Sequence, residues 1–204
     1  MRMTGAKQTE SLVVKLHARD TNVNLPNLLT FARILLIPVF VLLFSTPTPD
    51  RSLAAALVFV VAAVTDLLDG YLARRRSQVT KLGRLLDPIA DKLLVLSGLV
   101  LLVQFQRVAA LVAILIIARE VAVTGIRAIA AAEGIVLAAE TMGKYKMTAQ
   151  VIAIVMLILE EDFLPFVNLH VTGAALLYVA LALGLISGWR YLASFWRQVS
   201  VRGL

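Results

Sequence analysis

Asp66-Leu67-Leu68-Asp69-Gly70-Tyr71-Leu72-Ala73-Arg74, eight further residues, Gly83, then Asp87 and Asp91: these 26 residues hold four of the chain's seven aspartates. All four lie in or beside segments apolar enough to cross a bilayer. An ionised side chain at mid-membrane costs ~2.5–3.5 kcal/mol on the translocon scale. Four such groups together require compensation, and a divalent cation is the natural source of it.

The surrounding composition says the same about the solvent. The 204 residues are 60% hydrophobic, against about 45–50% in a soluble domain, and mean hydropathy is +0.87. The fold class expected is an all-α integral membrane protein of one domain. Cysteine is absent, so no disulfide framework exists. The first 24 residues are polar and charged, so no signal peptide is expected. A net charge of +7 in a soluble chain would raise nucleic acid as a partner. Here it reads as the positive-inside bias of membrane proteins, with attraction to anionic lipids and phosphorylated substrates.

Six apolar spans are expected, near 27–45, 53–74, 85–105, 108–130, 145–160 and 171–193. Residues 1–26 form an N-terminal segment in which 8–19 suit an interfacial helix or an exposed tail. Residues 27–195 make the six-helix transmembrane catalytic domain, and 196–204 a tail. Basic residues set the orientation. One side receives Arg2, Lys7, Lys15, Arg19, Arg74, Arg75, Arg76, Lys81, Arg84, Lys144, Lys146, Arg190, Arg197 and Arg202. The opposite loops hold Arg51 and Arg107 beside Asp50, Glu160, Glu161 and Asp162. Both termini and the aspartates are therefore expected at the cytoplasmic face.

On a helix, Asp66 and Asp69 share a face, as do Asp87 and Asp91. Gly70 would let a ligand approach the backbone. Pro88 is expected in the first turn of the third span, with Asp87 as its N-cap. A short basic loop joins the second and third spans, so their cytoplasmic ends are expected to face each other. Four carboxylates there suit Mg²⁺ or Mn²⁺, two per site. The bland alternative is pairing of the acids with Arg74, Arg84 and Lys92.

The full pattern, D-x2-D-G-x2-A-R-x8-G-x3-D-x3-D, resembles the signature of the CDP-alcohol phosphatidyltransferases at every fixed position. The resemblance implies a six-helix membrane enzyme, usually a homodimer, that takes a CDP-linked lipid and an alcohol and releases CMP. It implies metal ligation by Asp66, Asp69 and Asp87. Asp91 is implied as general base, with a share in the metal. Asp66, Asp69, Gly70, Ala73, Arg74, Thr80 and Gly83 are implied to line the CDP-lipid site. Asn24-Leu25-Pro26-Asn27-Leu28-Leu29-Thr30-Phe31-Ala32-Arg33 resembles the start of the phosphatidylglycerophosphate synthase branch, which adds Asn27, Thr30 and Arg33 to that site.

Ala118-Arg119-Glu120, Thr124-Gly125-Ile126-Arg127 and Gly143-Lys144-Tyr145-Lys146-Met147-Thr148-Ala149-Gln150 resemble the same branch. That implies CDP-diacylglycerol as donor and sn-glycerol 3-phosphate as acceptor, in a bacterial inner membrane or an organelle. Physical chemistry favours the same acceptor. Arg119 and Arg127 lie eight apart, near one helical face, and Lys144 and Lys146 enter at the same membrane side. Such cations suit a phosphate monoester. The alternative for the arginines is pairing with Glu120, Glu133 or Glu140, or snorkelling; for the lysines it is the charge bias alone.

Other acceptors of the family remain open: inositol phosphate, serine or phosphatidylglycerol. A membrane prenyltransferase would want a second aspartate-rich motif, and a small ion transporter would not form CMP. Trp189 and Trp196 read as interfacial anchors. His17 and His170 are expected on opposite sides. Gly184 and Gly188 are expected at a close helix contact, within the chain or at a dimer face.

Overall fold

The computed structural model describes residues 25–76, 81–135, 141–159 and 166–202, with side chains at 28–65, 89–90, 92–135, 142–159 and 166–200. Six helices account for nearly all of them: α1 (Leu25–Phe44), α2 (Pro49–Arg76), α3 (Lys81–Gln104), α4 (Ala110–Ala132), α5 (Thr141–Leu159) and α6 (Leu169–Arg202). No strand occurs among the described residues.

Local sequence explains the helix ends. Thr48 caps α2: its Oγ1 accepts from Arg51 N at 3.4 Å, and Pro49 follows at the first helical position. Asn168 caps α6, with Oδ1 accepting from Val171 N at 2.8 Å. Gly134, at φ +63, ends α4 and lets Ile135 N reach Ala130 O at 2.8 Å.

Two spans differ from expectation in an informative way. α3 begins at Lys81, so Asp87 is inside the helix and is not its N-cap, and Pro88 lies beyond the first turn. The extra turn is amphipathic, with Leu82 and Leu85 among charged residues, and a hydropathy window overlooks it. Proline at 88 has no N–H for the carbonyl of Arg84. α6 runs 34 residues, about 51 Å at 1.5 Å per residue, well past ~30 Å of hydrocarbon. Helix-compatible residues continue through Arg202 where the apolar run has ended, so 196–202 extend the helix.

α5 and α6 make the broadest contact, followed by α1 with α2; α4 rests chiefly on α6. With lipid outside, helices associate through close packing more than through water exclusion. Gly173 of α6 shows this: a Cβ there would sit 3.0 Å from both Leu157 Cγ and Met156 Cβ. At the end of the bundle where α1 and α3 finish, Phe40 packs on Phe44 and Phe59 with centroids 5.9 and 5.3 Å apart, and Phe105 meets Phe44 edge-on at 5.4 Å. Leu35, Leu42 and Leu111 point outward and are about two-thirds exposed or more, which suits a lipid-facing surface. α5 and α6 hold apolar stretches long enough to cross a bilayer, Met142–Leu159 and Leu169–Ser200; α1 and α3 add shorter ones, Leu28–Phe44 and Lys92–Gln104. This is an all-α membrane protein.

Arg107 was expected as a loop charge. It is buried, and its Nη1 donates to Leu157 O and Ile158 O at 3.0 and 2.8 Å, while its guanidinium lies 5.2 Å from the Phe44 centroid. It supplies donors to carbonyls in the last turn of α5 that have no helical partner among the described residues.

Candidate functional site

The aspartate motif lies on helical backbone throughout its described part. Asp66, Asp69, Gly70, Ala73 and Arg74 belong to the last three turns of α2, and Gly83, Asp87 and Asp91 to the first half of α3. The two helices touch. The side chains of these residues and of Asn27 lie outside the described set, as do Thr80, the segment 1–24, Glu140 and the loop Glu160–Asp162.

The turn before Asp66 is tied to α1. Arg33 is fully buried, and its Nε donates to Ala62 O at 3.2 Å. Thr65 Oγ1 donates to the same carbonyl at 2.7 Å. Thr30, one turn before Arg33, is also fully buried. Arg33 thus braces the aspartate helix, and it lies apart from the cavity described next.

That cavity has a volume of about 470 Å³ and is lined by α3, α4, α5 and α6. It gathers all four cations singled out in the sequence, Arg119, Arg127, Lys144 and Lys146, and adds Lys92. Helix periodicity explains the convergence. Arg119, Val123 and Arg127 recur every four residues down one strip of α4, and all three line the cavity. On α3, Val95 and Leu99 form the wall, and Asp91 and Asp87 precede Val95 by one and two turns on the same strip.

Glu120 is the acid among these cations. Its Oε1 accepts from Arg119 Nη1 at 3.0 Å and from Lys146 Nζ. The pairing with Glu120 that the sequence offers for the arginines as an alternative to ligand binding is real for Arg119, and Lys146 shares it, yet both cations still line the cavity. Arg119 Nε also donates to Gly184 O at 2.9 Å, and Nη2 to Ser187 Oγ. Arg127 Nη2 donates to Tyr191 OH, and its guanidinium carbon sits 4.7 Å from that ring's centroid. Gly184 and Gly188 accept the stem of Arg119: a Cβ at either would lie 3.5–3.7 Å from its nearest side-chain atoms. Both face Arg119 within the chain, with room for a methyl group, so neither marks the close helix contact expected of them.

Several of these residues escaped sequence reasoning. Lys92 stood only as a counter-ion for the aspartates. Gln150 entered only as part of a motif, yet it is buried and lines the wall. Ser187 and Tyr191 were passed over. The available signal was their register: Gly184, Ser187, Gly188 and Tyr191 make one strip of α6.

An arrangement of five cations and one carboxylate around a cavity, beside two aspartate-bearing helices, can hold a multiply charged anion. Known proteins give it a lineage. Residues 23–186 match the model of the CDP-alcohol phosphatidyltransferase family. A relative in Bacillus subtilis, named CDP-diacylglycerol–glycerol-3-phosphate 3-phosphatidyltransferase, is 44% identical across 86% of this chain and 97% of its own length. Relatives of the same name in Escherichia coli and Rickettsia bellii are 42% and 39% identical, covering 84% and 82% of this chain and 94% and 93% of theirs. A match of that breadth, joined to relatives of that identity, places the chain in a family: it belongs to the CDP-alcohol phosphatidyltransferases.

Proposed function

We propose that this chain transfers the phosphatidyl group of CDP-diacylglycerol to sn-glycerol 3-phosphate, giving phosphatidylglycerol phosphate and CMP. The observation that carries the reading is the cavity lined by Lys92, Arg119, Arg127, Lys144 and Lys146, at the end of the bundle that bears the aspartate turns. Its cations suit a phosphate monoester, and an uncharged or zwitterionic alcohol such as serine would leave them unmatched. The names of the relatives agree with it.

The donor set fits a hard divalent cation, Mg²⁺ or Mn²⁺: four carboxylates, oxygen donors throughout, at i,i+3 and i,i+4 on two touching helices. When bound, two such ions would offset charge on the pyrophosphate and on departing CMP. In this reading Asp66, Asp69 and Asp87 hold metal, with Asp91 beside them. Gly70, Ala73, Arg74, Thr80 and Gly83 line the cytidine diphosphate, and Asn27, Thr30 and Arg33 support that side. Arg119, Arg127, Lys144 and Lys146 fix the acceptor phosphate. Asp91 takes the proton from the 1-hydroxyl of glycerol 3-phosphate. That oxygen bonds to the β-phosphorus as the bond from this phosphorus to the CMP oxygen breaks, and the proton passes to water. The strip of α3 shared by Asp91 and the cavity wall supports giving the base role to Asp91.

The test is CMP release by purified protein from CDP-diacylglycerol, with each candidate alcohol in turn. Glycerol 3-phosphate should give the highest kcat/KM, and a preference for inositol phosphate, serine or phosphatidylglycerol would reject the acceptor. Chelation should abolish turnover and Mg²⁺ or Mn²⁺ restore it.

The proposal extends to six spans, a homodimer in a bacterial inner membrane, and cytoplasmic termini. Because the chain has no native cysteine, the variants His17→Cys and Asn168→Cys can report sidedness. An impermeant thiol reagent should reach position 17 from the cytoplasm and 168 from the other side.

A further inference from the structure

We propose that Ser187 and Tyr191, one turn apart on α6, are positioning residues for the acceptor phosphate: they hold the guanidinium groups of Arg119 and Arg127 so that donors remain for the ligand. The inference rests on reading the cavity as the acceptor site and assigns a role to a helix outside the sequence motifs.

A guanidinium has five N–H donors in a fixed plane. Among the described residues, Arg119 uses three: Nε to Gly184 O, Nη1 to Glu120 Oε1 and Nη2 to Ser187 Oγ. One donor is left on each terminal nitrogen, and two donors so spaced suit two oxygens of one phosphate. The orientation comes from α6. Ser187 is fully buried and its own hydroxyl faces Gly184 O at 3.3 Å, so the serine and the carbonyl act on the guanidinium together. The arginine stem passes over Gly184 and Gly188, where even an added Cβ would keep 3.5–3.7 Å from it.

Arg127 is held differently. Its guanidinium carbon is 4.7 Å from the centroid of the buried Tyr191 ring, and Nη2 donates to the hydroxyl. The remaining four donors have no partner among the described residues. Arg119 and Arg127 are like charges two turns apart on α4, and among the described α4 residues only Glu120 holds either of them, through Arg119 Nη1, so Arg127 needs restraint from another helix. α6 supplies that restraint, so the ligand does not have to order both side chains on arrival.

The experiment uses full-length protein in detergent with Ser187→Ala, Tyr191→Phe and the double variant. Tyr191→Phe keeps the ring and removes only the hydroxyl. Glycerol 3-phosphate is titrated into each by calorimetry, and steady-state kinetics are measured with both substrates. Losing a hydrogen bond to a charged group corresponds to roughly a tenfold weakening. Each single variant should raise the Kd and KM for glycerol 3-phosphate about tenfold, with kcat and the KM for CDP-diacylglycerol within about twofold of wild type. Unchanged acceptor binding overturns the inference. So does an equal loss for both substrates, which marks a general structural role. If wild-type protein binds glycerol 3-phosphate but transfers no phosphatidyl group to it, the proposed function falls while the binding comparison still decides the positioning role. If it does not bind glycerol 3-phosphate, both fall.

Discussion

Arg107, at the Phe44 end of the bundle, is buried, and Arg119, midway along α4, is partly buried with 11% of its side chain exposed; both reach across to a backbone carbonyl of another helix. Their surroundings separate them. Arg107 sits against Phe44 and the last turn of α5, where one nitrogen serves two carbonyls and the guanidinium lies over the Phe44 ring. Arg119 is anchored at each of its three nitrogens by Gly184, Glu120 and Ser187, with one N–H left on each terminal nitrogen, and it lines a cavity shared with four further cations. Buried charge is structural where the fold itself surrounds it. It is available for chemistry where the fold anchors it and still leaves donors and space.

The comparison predicts that variants at the aspartate end change kinetics and variants at the Phe44 end change stability. The largest effect should come from Asp91→Asn, which keeps shape and removes the capacity to accept a proton. Turnover should fall by about 10²–10⁴-fold, with CDP-diacylglycerol binding and thermal unfolding unchanged. Turnover like that of wild type would take the base role away from Asp91. Next is Arg119→Ala. It should raise the KM for glycerol 3-phosphate by roughly 100-fold, as expected when a charged bidentate contact disappears. The KM for CDP-diacylglycerol should barely move, and equal changes in both would dissolve the distinction between the two arginines.

How far the sequence reveals this division depends on the residue. Six helices follow from hydropathy alone because a bilayer punishes exposed backbone so heavily. Their ends follow less well. Hydropathy registers the lipid and not the hydrogen-bond ladder, so α3 starts four residues earlier and α6 ends later than the apolar runs suggest. The cations of α4 and α5 are legible because charge within an apolar segment is itself a signal. Ser187 and Tyr191 are not, since a serine and a tyrosine in a membrane helix have many bland uses and acquire meaning only once Arg119 and Arg127 lie against them. Arg107 is illegible for a related reason: whether a charge beside a loop points to water or back under a helix end is a property of the turn.

Arg107→Met tests the stability side. The methionine fills much of the volume, but Leu157 O and Ile158 O lose charged donors. Unfolding in detergent should become about 2–4 kcal/mol more favourable, while KM values for both substrates and kcat stay near wild type. A selective rise in the acceptor KM would connect the two ends and break the comparison.

The smallest effect concerns the turn that aims Arg107. Gln106 has φ 59, in the left-handed region, and follows α3 in the place where a glycine usually stands. Its conformation lets Arg107 N bond back to Leu102 O at 2.8 Å and directs the arginine under α5. A non-glycine residue there costs about 1–2 kcal/mol. Glycine removes that strain but loses about 0.5–1 kcal/mol more in backbone entropy on folding. Gln106→Gly should therefore stabilise the protein by only about 0.5 kcal/mol, read as a small rise in the unfolding midpoint with unaltered kinetics. A fall in the midpoint would mean that the Gln106 side chain helps to hold Arg107 in place, and that the stabilising end of the bundle extends beyond the arginine and its rings.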